Sequence, residues 1–125
     1  MKRALMVLQL VLGIYFLFVG VMHFVLPEGL PAQMGWMYEL SPALHWLSGS
    51  AEVLAGLALL GVPLIRRYGN LVPLAAAGLV LTMLGAMAWH LSRGEASNIV
   101  QNLIVGALAA FLAYQRWKTY PLAYN

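Results

Sequence analysis

Four apolar runs, each long enough to cross a bilayer, leave this chain little choice of fold. A helix that crosses ~30 Å of hydrocarbon needs about 20 apolar residues. Residues 4–26, 44–65, 71–91 and 99–117 each supply a run of that order. With no water to satisfy the backbone inside the bilayer, each run must be helical. The expectation is an all-α chain, residues 1–125 forming a single four-transmembrane-helix bundle. Composition agrees: 62% of the residues are hydrophobic and 9% are charged, against roughly 45–50% and 25% in soluble domains. The first run has a basic start, Lys2-Arg3, as a secretory leader does. Its apolar stretch is about twice the ~7–15 residues of a leader and no small-x-small cleavage site follows, so it reads as a retained helix. Pro63 and Pro73 lie near helix ends, where a proline does least harm.

Basic residues favour the cytoplasmic side. Lys2 and Arg3, Arg66 and Arg67, and Arg116 and Lys118 mark one side three times, which predicts both termini in the cytoplasm of a bacterial-type inner membrane. The opposite side carries the loop 27–43, with Glu28 and Glu39, and the short loop 92–97, with Arg93 and Glu95. The first of these holds Pro31, Met34, Trp36, Met37 and Tyr38, too apolar for a plain solvated loop. It either lies on the membrane surface or folds over the bundle mouth as a lid. No block of Lys and Arg with interleaved aromatics exists, which argues against nucleic acid as a partner. The chain has no cysteine, so disulfide exchange, thiolate nucleophiles and cysteine-ligated metal are excluded.

Polar residues gather in the outer half. His23 closes the first run, His45 opens the second and His90 closes the third; Asn98, Gln101 and Asn102 start the fourth. Glu52 stands seven residues after His45, about 10 Å deeper at 1.5 Å per residue. The inner half has Gln9 and little else. A carboxylate at membrane depth costs at least ~2.5–3.5 kcal/mol, so it faces the bundle interior and has a partner. His45, Ser48, Gly49, Glu52 and Gly56 share one helical face, small enough for another helix to approach closely. Thr82, Ala86 and His90 share a face on the third run.

Burial favours the protonated acid, whereas a neighbouring imidazolium favours the carboxylate. Beside His23 or His90, Glu52 forms a proton-exchanging pair; the plain alternative is an acid that ties helices together. His90 can relay a proton or hold a ligand, or simply solvate a helix end. His45, before Trp46, reads as interfacial. Three histidines on three separate helices, with no i, i+3 or i, i+4 pair, make a poor zinc set, and no metal is expected. Phe16, Phe24, Trp36, Tyr38, Trp46 and Trp89 can line a pocket for a flat apolar ligand such as a quinone; lipid anchoring explains the tryptophans as well. The glycines form no clean GxxxG, so they pack within the bundle, with a homodimer as the alternative.

The run Gly20-Val21-Met22-His23-Phe24, the glutamate-plus-glycine pattern Ser48-Gly49-Ser50-Ala51-Glu52-Val53-Leu54-Ala55-Gly56, and Gly85-Ala86 with His90 resemble the DoxX-like family of small four-helix membrane proteins. The resemblance covers roughly residues 12–109. It implies a membrane subunit of a redox complex: founding members are described as part of a thiosulfate:quinone oxidoreductase, and most members have no assigned activity. Carried over, it singles out Glu52, Gly56 and His90, with His23 beside them. The turn from His90 to Glu95 recurs in eukaryotic relatives that act as receptor-assembly chaperones. The lack of cysteine separates the chain from four-helix thiol oxidoreductases of the vitamin K reductase type.

The expectation is therefore a pocket open to the outer side that binds a small apolar ligand or quinone, in a subunit of a membrane redox complex. Glu52 and His90 are its candidate catalytic pair. His23, His45, Trp36, Glu95, Asn98, Gln101 and Asn102 are its candidate ligand-binding residues. An assembly factor or accessory subunit is the alternative, and a stand-alone enzyme on a lipid-soluble substrate is a third reading.

Overall fold

The structure, a computed structural model, describes residues 1–124. Four long helices follow one another: α1 Lys2–Met22, α2 Pro42–Ile65, α3 Leu71–Ser92 and α4 Ala96–Tyr114. All four are long and apolar enough to cross a membrane, the last counted through Thr119. Among the described residues there is no strand. The helices pack in a ring in which α1 lies on α2, α2 on α3 and α3 on α4, while α1 meets α4 only sparsely. Leu5, Leu12, Phe16, Leu59, Val72, Leu79 and Leu112 fill the centre.

Helix ends depart from the apolar runs for local reasons. α1 stops at Met22, with His23 as its cap, and residues 24–26 leave the helix although they are apolar. Phe24 instead sets its ring edge-on to Trp46, 5.1 Å away. α2 begins two residues before the apolar run, because Ser41 accepts the Leu44 N–H and Pro42 sits in the first turn. It ends where Arg66 turns left-handed, at φ 53°. α4 begins at Ala96, so Asn98 lies inside its first turn. Beyond Tyr114 the chain widens into a π-turn, Gln115–Thr119.

α1 and α2 touch backbone to side chain. A methyl added at Gly20 would stand 2.8 Å from Val53 N, and one at Gly56 2.8 Å from Leu17 N. The small face expected of α2 is thus the face that α1 packs on.

The inner half is more polar than the sequence suggests. Pro63 has no N–H to give the Leu59 carbonyl four residues back. Gln9 Nε2 donates to that carbonyl at 2.9 Å. Its Oε1 then accepts from Arg116 Nε at 3.0 Å. Arg116, read from sequence as an interfacial cation, is 4% exposed and lies in the bundle.

Candidate functional site

The loop between α1 and α2 folds inward. Its residues Ala32–Tyr38 form a short 3₁₀ helix over the outer end of the bundle, with Met37 fully buried. Of the two placements open to it from sequence, the structure shows the lid. Tyr38 fixes the loop by donating its hydroxyl to the Pro27 carbonyl at 2.5 Å. Trp36 thereby comes between histidines: its ring centre is 6.1 Å from His23 and 5.1 Å from His90. Trp46, by contrast, is exposed on the perimeter.

Glu52 is 4% exposed. Its Oε2 is 3.4 Å from His23 Nε2, long for a hydrogen bond, and among the described residues it has no hydrogen-bond partner. His23 sits there because it caps α1 directly over Gly49, where an added Cβ would lie 2.7 Å from the His23 Cβ. His23 Nδ1 is 2.9 Å from His45 Nδ1, and His45 Nε2 is 2.9 Å from the Met37 carbonyl.

The pattern of partners fixes the hydrogens. A carbonyl only accepts, so His45 Nε2 donates to Met37. With His45 neutral, its Nδ1 accepts, and His23 Nδ1 donates to it. His45 is therefore a member of a partly buried hydrogen-bond chain as well as an interfacial residue.

His90 is held separately. Its ring is 2% exposed, and its Nδ1 lies 3.2 Å from Glu95 Oε1. Arg93 Nε donates to the same oxygen at 2.8 Å, and Arg93 also pairs with Glu39 of the first loop. The Arg93 guanidinium stacks 4.7 Å from the centre of the Trp89 ring. Desolvation pushes the Glu95 carboxyl up, but the hydrogen bonds and charges of Arg93 and His90 outweigh this and hold it below its ordinary value. With Nδ1 committed to Glu95, His90 has Nε2 left for a ligand.

Two cavities meet at these residues. One, of about 520 Å³, lies between α2 and α3; Leu44, Leu47, Ser48, Thr82 and Trp89 contribute to its wall. The other, of about 450 Å³, lies along the thin α1–α4 seam and is lined by Tyr15, Phe18, Met34, Asn98, Gln101 and Asn102. Glu52, Trp36, Ala86 and His90 line both. His23 lines the first only. Asn98 is buried, whereas Gln101 is exposed and donates to the Tyr15 hydroxyl at 3.2 Å. His45 and Glu95 line neither and instead contact His23 and His90. Among the described residues no three His, Asp or Glu side chains gather as a metal site. Sequence reasoning missed Tyr15 as a cavity wall, whereas Thr82, set on the face of Ala86 and His90, lines the first cavity.

Neither a curated protein nor a solved structure matches the chain. The family model described as the DoxX-like family matches residues 7–112. The chain is a membrane protein of the DoxX-like family.

Proposed function

We propose that the chain is a ligand-binding subunit of a redox complex in the bacterial inner membrane, and that its ligand is a flat, largely apolar molecule carrying oxygens at its polar ends, of the quinone class. The observation that carries this is the buried pair of Glu52 and His23, 3.4 Å apart, at the wall of an apolar cavity whose opposite polar group is His90. Glu52 supplies a hydrogen bond, and a proton when one is needed, to one oxygen. His90 Nε2 meets the other, steadied by Glu95. Trp36 covers the ring. His23 and His45 return a proton to Glu52 from beneath the first loop. Asn98 and Asn102 orient a ligand that extends toward the α1–α4 seam. Reduction of a quinone takes up two electrons and two protons. These residues deliver the protons, and a partner subunit delivers the electrons.

Titration of the purified chain with a soluble short-tail quinone tests this through quenching of tryptophan emission. Saturable quenching is expected, with Glu52→Gln weakening binding about tenfold, as the loss of one charge-assisted hydrogen bond should. Quenching that never saturates, together with an unchanged Glu52→Gln, would sink the reading.

A second reading follows from the same contact, because Glu52 on α2 pairs with the cap of α1. In an accessory or assembly subunit that pair would serve only to join the two helices. Glu52→Leu separates the readings: a folded chain that no longer binds quinone supports the site, and a chain that fails to fold supports the structural role.

A further inference from the structure

At the other end of the bundle a cavity of about 440 Å³ lies between the α2–α3 turn and the C-terminal segment, with Tyr68, Asn70, Pro73, Arg116, Trp117 and Tyr124 in its wall. The C-terminal segment is strapped over the turn: the Gly69 N–H donates to the Tyr124 carbonyl at 3.2 Å, and an added Cβ at Gly69 would strike the Leu122 carbonyl. Arg116 is buried yet belongs to this wall. Its Nε serves Gln9, and its Nη1 donates to the Tyr120 carbonyl at 3.2 Å. Its Nη2 is buried with no partner among the described residues.

A buried guanidinium needs a counter-charge, and no acidic side chain lies at this end. Of its four acidic residues, Glu28, Glu39 and Glu95 lie in the loops of the far end and Glu52 in the far half. Two more cations stack on residues of its wall. Arg66 stacks on Tyr124 and Arg67 on Tyr68, each 5.5 Å from the ring centre. The π-turn Gln115–Thr119 presents Arg116, and such turns are rare and concentrate at functional sites.

We propose that this cavity binds an oxyanion, a phosphate group held by Arg116 Nη2 and flanked by Arg66 and Arg67. Guanidinium is the cation whose planar fork suits phosphate. The phosphate belongs either to an anionic lipid headgroup or to a soluble phosphate. The site shares no residue with the Glu52 cavities and stands whether or not those bind a quinone.

The test is thermal unfolding of the full chain in phosphatidylcholine nanodiscs, with two additions made separately. One is phosphatidylglycerol in the disc; the other is inorganic phosphate against chloride at equal ionic strength. One addition is expected to raise the melting temperature by several degrees, because a ligand that binds only the folded state stabilises it. A shift with phosphatidylglycerol alone identifies the headgroup, and a shift with phosphate identifies a soluble anion. Arg116→Gln should abolish the shift, while Lys2→Gln with Arg3→Gln, remote in sequence from the cavity wall, should keep it. If Arg116→Gln does not fold, the exposed pair Arg66→Gln with Arg67→Gln should at least halve it. The proposal is overturned if neither addition moves the wild type. It is equally overturned if the shift survives intact in Arg116→Gln or, should that variant not fold, in the double variant.

Discussion

Replacing Gln9 by leucine removes two buried hydrogen bonds at once. The Leu59 carbonyl loses its side-chain donor, since Pro63 cannot serve it, and Arg116 Nε loses its acceptor. Each orphaned group costs about 1–3 kcal/mol, and unfolding in mixed micelles should show a loss of that order or larger. Pro63→Ala should stabilise the Gln9→Leu chain more than the wild type, because it returns a helical N–H to Leu59; a double-mutant cycle reads the difference. Helical spacing does place Arg116 on the stripe of Gly106, Ala109 and Leu112. Its charge argues for the interface all the same, and the π-turn that admits it has no sequence signature. Glu52 was legible as a buried acid needing a partner. Which histidine partners it was not, because phase along one helix says nothing of distance to the next.

Glycine contacts set that distance, and they offer a contrast within one helix. Gly56→Ala drives a methyl into the Leu17 backbone, and overpacking of this kind costs about 1–3 kcal/mol. Gly61→Ala meets open space and should stabilise α2 by up to about 1 kcal/mol. Thermal unfolding of the two variants checks the opposite signs. The 3₁₀ lid is held by Glu39, Arg93 and Glu95, and its closure should depend on pH. Glu95 titrates below its ordinary value when folded. Its contribution is therefore complete above the ordinary carboxylate value and is lost as pH falls through the lower folded value. Tryptophan emission should shift to the red over that interval, and Glu95→Gln should remove this part of the response. The lid's apolar content was readable in the loop, but a 3₁₀ turn lacks the long repeat that gives helices away, so its fold was not.

At the scale of the whole molecule, six of the seven basic residues occupy one end and all four acids lie in or near the other. This supports both termini being cytoplasmic, and the natural absence of cysteine makes the point easy to check. In intact cells a membrane-impermeant maleimide should label Ser97→Cys and spare Thr119→Cys until the membrane is opened. The number of spans and the segregation of charge were plain from the chain, since both follow from what a bilayer tolerates. The second cavity was not, because it arises where α1 and α4 meet only sparsely. The shared wall has one more consequence. The first cavity includes Leu47 and the second Phe18, both largely exposed on the perimeter. The proposed ligand, dissolved among the acyl chains, would therefore have two doors, on opposite flanks, to the same acid and imidazole, arriving by one and departing by the other without meeting bulk water.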